Sequence, residues 1–262
     1  MPLNDIQIAE AAGILYERRR AGSVGDRLPE SCRPVDVQDA LRIQDQVAGL
    51  FGHRVGAWKC GLPDGEKVVL APIWSEMCGR DVVCPVRTRH GQVKVEPELA
   101  FVLGQDLPPR EQPYADDEID AAIARTHLAL ELIEQRFAEP SALRFPEKLA
   151  DGLVNLGLLI GPAVDNDVAR STSAMAITVR AEGEVLATYE GRHPAAWPRQ
   201  PLYWLVNYLR ARGIALRAGQ AVITGSYAGS WPVPARRDLR MAFGELGELA
   251  VRFEPVSDGD AA

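Results

Sequence analysis

The sequence predicts an α+β protein, a small helical N-terminal part followed by a largely β domain. Up to about residue 54, apolar residues recur at helical spacing behind capping side chains; beyond it, short alternating or apolar runs are punctuated by Gly and Pro. With 262 residues, 47% hydrophobic and 25% charged, the chain is long and apolar enough to bury a sizeable core.

The first helix is expected from about Asn4 to Ala21, with Asn4 or Asp5 as its cap and Ile6, Ala9 and Leu15 available for an apolar face. A second begins in PVDVQDALRIQDQV. There Asp36 can cap, Asp39 favours the positive helix end, and Val37, Ala40, Leu41, Ala48 and Phe51 supply a buried stripe. Strands are expected at 55–60, 93–103, 128–137, 157–161, 176–181, 221–224, 240–243 and 249–253. Two helices interrupt them, ADDEIDAAIARTH and PLYWLVNYLRARG. In the second, Leu202, Leu205, Val206 and Leu209 keep helical spacing between Pro201 at its start and Gly213 at its stop. The division expected is a helical subdomain over 1–54, a mixed β catalytic domain over 55–256 and a disordered tail, SDGDAA, over 257–262.

Against 29 basic residues stand 36 acidic ones, a net charge of −7. That balance gives no electrostatic support to a nucleic-acid or anionic-membrane partner and favours a small-molecule ligand. No apolar run reaches the ~20 residues of a membrane span, and MPLNDIQIAEAAGILYERRR lacks the order of a secretory signal, so a cytoplasmic protein is expected. Cys32, Cys60, Cys78 and Cys84 form neither a C-x-x-C pair nor a zinc spacing and read as reduced thiols.

The unusual chemistry lies in VEPELAFVL. Glu96 and Glu98, two residues apart, emerge on one face of a strand about 7 Å apart along the chain. A third carboxylate, Glu131, sits inside the apolar run LALELIEQRF and shares its alternation with His127, Ala129 and Ile133. Buried carboxylates are costly unless protonated, paired or metal-bound, so three in core-like strands call for a common partner. A hard divalent cation, Mg²⁺ or Mn²⁺, takes oxygen ligands and keeps positions open for substrate. The plainer alternative makes Glu96 and Glu98 an exposed strand face paired with Lys94 or arginines, and Glu131 with Glu134 the wet side of a helix. Pattern alone leaves both open. Pro97 cannot donate to a ladder, which places this strand at an edge or gives it a bulge. Upstream, GAWKCG sets Lys59 at the end of an apolar strand, either snorkelling outward or held as an active-site cation.

Lys59, Glu96, Glu98 and Glu131 fall in this order within GAWKCGL, VEPELAFVL and LALELIEQR, followed by KLADGLVNLGLLIG and AGQAVITGSYAGSWPV. Over nearly the whole chain this resembles the 2-oxopent-4-enoate hydratase and 4-oxalocrotonate decarboxylase family of the fumarylacetoacetate hydrolase superfamily. The resemblance implies a helical N-terminal part packed on a mixed β-roll or β-sandwich domain of the fumarylacetoacetate hydrolase C-terminal type. It also implies a homo-oligomer, alone or complexed with a pathway decarboxylase or hydratase. Glu96, Glu98 and Glu131 would be metal ligands and Lys59 the catalytic cation, meeting the substrate carboxylate or relaying a proton. Asp151, Asn155, Thr224 and Ser226 would border the substrate.

The implied activity is that of a metal-dependent lyase on unsaturated 2-oxo acids of aromatic meta-cleavage, foremost hydration of 2-hydroxypenta-2,4-dienoate. A 4-oxalocrotonate-type decarboxylase is the alternative within that chemistry. A non-catalytic ligand-binding homologue or partner subunit is the alternative outside it. Where the family has Asp-Asn followed by serines, this chain has Asp151, Gly152, Leu153, Val154 and Asn155. A carboxylate that hydratases carry after the lysine has only Glu76 as a counterpart. The hydrolases' G-x-N-Y-x-x-H segment is missing, so carbon-carbon hydrolysis is not expected, and His127 reads as structural.

Overall fold

Asn4 caps the first helix, α1 (Asp5–Ala21), accepting from the Gln7 amide while the Gln7 side chain accepts from the Asn4 amide. The stripe that α1 buries is Ile8, Ala11, Ala12 and Leu15. Ile6, expected on that face, is 80% exposed, and Ala9 is exposed too. At about 100° per residue both lie off the line joining Ile8 to Leu15. Asp36 caps α2 (Val37–Phe51), which buries Ala40, Leu41, Ile43, Gln44 and Val47 and packs on α1. The computed structural model describes residues 2–52 and 54–256, so the tail expected at 257–262 lies outside the described residues.

The chain continues through β1 (Val55–Cys60), β2 (Leu70–Trp74), β3 (Cys78–Gly79), β4 (Val83–Val86), β5 (Gln92–Leu103), α3 (Asp116–Ala122), β6 (Ile123–Ile133), α4 (Phe145–Ala150) and β7 (Asn155–Val164). It ends with α5 (Asn166–Ser171), β8 (Ala174–Ala181), β9 (Glu184–Arg192), α6 (Gln200–Ala211), β10 (Ala221–Ile223), β11 (Trp231–Pro234), β12 (Leu239–Phe243) and β13 (Glu248–Pro255). One mixed sheet has the order β2-β1-β10-β5-β6-β7-β3, with β11 also on β5; the other runs β4-β13-β12-β8-β9. β13 packs against β6 and β7, stacking the second sheet on the first. This is the expected α+β architecture. Among the described residues no helix is long and apolar enough to cross a membrane.

Three local expectations are corrected. The helix expected through His127 ends at Ala122, and Ile123–Ile133 is strand, shifted from the 128–137 predicted. Pairing of Ile123, Arg125 and Thr126 with Leu103, Val102 and Phe101 overrides a helical pattern that continues in sequence. Strands β2, β3, β4, β9 and β11 have no predicted counterpart; the longest of them, β9, is a largely exposed edge strand with little apolar alternation to read.

The third correction concerns Pro97. β5 is interior, and its register shifts at Val102 and Leu103 rather than at Pro97. One side of β5 pairs continuously with β6; the other is divided between β11, at 92–95, and β10, at 100–102. Pro97 falls in the gap, where its carbonyl accepts from the Tyr227 amide at 3.1 Å. Main-chain N and C=O of one strand residue point the same way, so the missing N–H falls in the gap as well and breaks no ladder bond.

Candidate active site

The same gap leaves room at the two glutamates that flank Pro97. Glu96 is the direct cross-strand partner of Glu131, and Glu98 follows two residues along. By two-residue alternation these acids share a sheet face with Ala100 and Ala129, and Lys59 shares it with Ala57. Ala57, Ala100, Ala129, Ala221 and Ile223 belong to a small second core on that face. That core also holds Ile73, Leu158 and Ile160, so the charges stand directly beside apolar side chains, Lys59 opposite Ile223 and Glu131 opposite Leu158.

The carboxylate oxygens of Glu96, Glu98 and Glu131 lie within 4.8 Å of one another. Lys59 Nζ donates to Glu131 Oε1 at 2.6 Å and to the Leu153 carbonyl at 3.3 Å. Asn155 Nδ2 also donates to Glu131 Oε1, at 2.8 Å. The Gly225 amide donates to Glu98 Oε2 at 2.6 Å. Glu131 Oε2 is buried and has no hydrogen-bond partner.

Burial, then the charges of Glu131 and Glu96, push the Glu98 carboxyl well above its ordinary range, against the Gly225 amide and Lys59. Burial and Glu131 raise Glu96 as well. Burial alone would lower Lys59, but Glu131, Glu96 and Glu98 outweigh it and hold the ammonium above its usual value. Three acids against one ammonium leave the cluster under-neutralised. A hard divalent cation fits this set: the donors are all oxygen, converge within a few ångström and include the orphaned Glu131 Oε2.

A cavity of about 330 Å³ opens over the cluster. Its polar floor is Lys59, Glu96, Glu98 and Glu131 with Thr224; its walls are apolar, including Leu62, Val69, Pro194, Ala195 and Pro201. Cys60 also lines it, but burial and the neighbouring Glu98 push its thiol well up, so it stays protonated. Behind Thr224, His193 Nε2 lies 3.3 Å from the Thr224 hydroxyl.

Residues 63–254 match the family described as the fumarylacetoacetate (FAA) hydrolase C-terminal. The chain belongs to the FAA hydrolase family. Two similar curated proteins are both 2-keto-4-pentenoate hydratases. That of Burkholderia vietnamiensis (strain G4 / LMG 22486) is 27% identical and that of Paraburkholderia phymatum 29%, each over 263 residues covering 95% of this chain and 98% of the relative. Among solved structures, 4-oxalocrotonate decarboxylase from Pseudomonas putida G7, complexed with magnesium and adipate, superposes with a TM-score of 0.78 at 19% identity. That superposition covers 96% of this chain and 99% of the other, a likeness of fold. Within the FAA hydrolase family this chain is thus 2-keto-4-pentenoate hydratase-like along almost its whole length.

In this FAA hydrolase family member Lys59 lies outside the matched span, yet β1 delivers it to acids that lie inside. Of the residues expected at the site, Lys59, Glu96, Glu98, Glu131 and Thr224 line one cavity. Asn155 stands one contact behind, on Glu131. Asp151 and Ser226 are not brought to the cavity. Asp151 is 2% exposed and takes a 2.7 Å ion pair from Arg136, while Ser226 Oγ closes its own turn by donating to the Gly229 carbonyl. Sequence reasoning missed the apolar walls and the role of His193 behind Thr224. The available signal was the proline-rich GRHPAAWPRQP, a loop entering α6.

Proposed function

We propose that this protein is a divalent-metal-dependent hydro-lyase that hydrates 2-hydroxypenta-2,4-dienoate or an apolar-substituted analogue to a 4-hydroxy-2-oxo acid, in aromatic meta-cleavage. The observation that carries the reading is the convergence of Glu96, Glu98 and Glu131 with Lys59 at the floor of an otherwise apolar cavity. Its curated relatives, named as hydratases, support the same reaction class.

Glu96, Glu98 and Glu131 would hold Mg²⁺ or Mn²⁺, which when bound supplies a Lewis acid for the α-oxo acid end of the substrate. The Lys59 ammonium, kept charged by its acidic neighbours, meets the C1 carboxylate or passes a proton where anionic oxygen develops. Ketonisation of the dienol by proton transfer comes first, and water then adds at C4. The Thr224 hydroxyl, which lines the same cavity, would orient that water. Leu62, Val69, Pro194, Ala195 and Pro201 shield the hydrocarbon end of the substrate from bulk solvent.

Among the described residues, Lys59 is the one cation on the cavity lining, and Glu131 already engages it. A second substrate carboxylate, as in 4-oxalocrotonate, finds no cation there, which favours hydration over decarboxylation. Assembly as a homo-oligomer and a cytoplasmic location belong to the same proposal.

The test incubates purified protein with Mg²⁺ or Mn²⁺ and 2-hydroxypenta-2,4-dienoate, following dienol absorbance, with 4-oxalocrotonate and CO₂ detection in parallel. Loss of dienol absorbance without CO₂ release from 4-oxalocrotonate is the expected result. CO₂ release would favour the decarboxylase, and persistence of every dienol tried would favour a non-catalytic homologue.

A further inference from the structure

Three consecutive residues between α4 and β7 have left-handed backbone: Gly152 at φ 68°, Leu153 at 54° and Val154 at 62°. Glycine takes this conformation freely, but leucine and especially β-branched valine do not. Strain of this kind persists only where the surroundings over-determine it.

Here the surroundings are two buried arginines. Arg19, from α1, donates through Nη2 to the Asp151 carbonyl at 2.8 Å and through Nη1 to the Asn155 carbonyl at 2.9 Å. Arg136 Nη2 reaches the same two carbonyls, each at 3.0 Å, while its Nε holds Asp151 Oδ1 at 2.7 Å. Both guanidinium groups thus bracket the turn, gripping the residue before it and the residue after it. For Arg19 the main-chain grip is closer than its ion pair, since Arg19 Nη2 lies 4.0 Å from Asp151 Oδ1. Arg19 Nη2 also passes over Gly152 so closely that a Cβ there would sit 3.0 Å from it.

The turn feeds the active site at two atoms. The Leu153 carbonyl accepts from Lys59 Nζ, and the Asn155 side-chain Nδ2 donates to Glu131 Oε1. A relaxed turn would withdraw one support from each member of the Lys59–Glu131 pair.

We propose that Arg19 is a positioning residue for the active site: with Arg136 it clamps the left-handed turn 152–154 and so holds Lys59 and Glu131 in working register. The proposal rests on the hydro-lyase reading of that pair. It makes α1, which lies outside the matched family span, part of the machinery.

The test compares full-length wild type, Arg19→Met, Arg19→Lys and Met241→Ala, the last a buried deletion in β12 of the other sheet that serves as a stability control. Two readouts are taken, hydrogen exchange of segment 149–157 and dienol turnover with Mg²⁺. Arg19→Met is expected to speed exchange in that segment about tenfold beyond its effect elsewhere. It should also lower kcat by one to two orders of magnitude with KM changed by less than about threefold. Arg19→Lys, which reaches one carbonyl but cannot bridge both, should fall between. Adding Val154→Gly to Arg19→Met should recover part of the turnover by removing the strain that the clamp opposes. Met241→Ala should lose stability without either signature. Wild-type exchange in the segment, or a kcat loss no larger than that of Met241→Ala, overturns the clamp. Arg19→Lys bears the same criteria should Arg19→Met fail to fold. If wild type itself leaves every dienol untouched, the hydro-lyase reading falls, and the exchange measurement alone decides whether the clamp exists.

Discussion

Glu96 and Glu131 stand directly opposite each other across the β5–β6 ladder, two like charges at paired positions in the interior of a sheet. Such a pairing destabilises a sheet, and Glu98 two residues along compounds it. Lys59 offsets one charge of the three. The arrangement makes sense only if something other than folding selects it, and it links a cost in stability to the capacity to bind a cation.

Glu98→Gln separates these two effects. The amide oxygen can still accept from the Gly225 amide, so the fold is retained, while one negative charge is removed from the cluster. The metal-free variant is expected to unfold at the same or a higher temperature than wild type, a gain of up to about 1 kcal/mol. Turnover should fall by about three orders of magnitude, and the rise in Tm expected when Mg²⁺ is added to wild type should be lost in the variant. Calorimetry with and without Mg²⁺ reads both; undiminished turnover would remove Glu98 from the site.

Lys59 and Glu131 form a pair whose side chains are 12% and 0% exposed. Lys59→Met leaves Glu131 without its cation and is expected to cost about 3–5 kcal/mol, the usual penalty for breaking a buried pair. Lys59→Met with Glu131→Gln should recover most of that stability and none of the activity. Denaturant unfolding of the single and double variants checks this, and additive losses would mean that the two side chains are not coupled.

Much of this site was legible in sequence because burial and charge conflict openly there. E-P-E ahead of an apolar run, Glu131 inside another and Lys59 after Trp58 each break the pattern of a core strand, and all converge on one cavity. Asp151 also looked like a ligand-facing acid, but its charge is spent on Arg136, a partner distant in kind from any local motif. The cavity walls gave no such signal: Leu62, Val69 and Ala195 are ordinary apolar residues whose role comes only from the loops that bring them together. The left-handed turn at Leu153 and Val154 was likewise hidden, since neither residue advertises positive φ.

His193 predicts a pH dependence of stability. Burial disfavours its imidazolium and lowers the ring below its ordinary value, partly opposed by a hydrogen bond with Ala195. Above the unfolded value of about 6.5 both states are neutral and the residue has no effect. As pH falls below that, the unfolded chain takes up a proton that the folded one resists, so stability declines until the lower folded value is passed. Wild-type Tm should therefore drop more steeply between pH 7 and pH 5 than that of His193→Gln. Parallel curves would show that the ring accepts a proton as readily folded as unfolded.

The cavity wall makes the last prediction, on substrate choice. Leu62 is 42% exposed and lines the cavity, so a longer side chain there can enter or leave without overpacking the core. The wild-type lining offers a substrate's distal end only apolar surface; a distal methyl gains from burial there, about 0.8 kcal/mol per carbon, whereas a distal carboxylate loses hydration without gaining a partner. Leu62→Arg reverses both terms by placing a guanidinium where a terminal carboxylate would lie. The ratio of kcat/KM for a dienol monoacid over its ω-carboxylated analogue should then fall by one to two orders of magnitude, mostly through KM, because the substitution alters binding at the end remote from the reacting atoms. Stopped-flow loss of dienol absorbance for the two substrates measures that ratio. A ratio unchanged in Leu62→Arg would place the distal end of the substrate against some other wall.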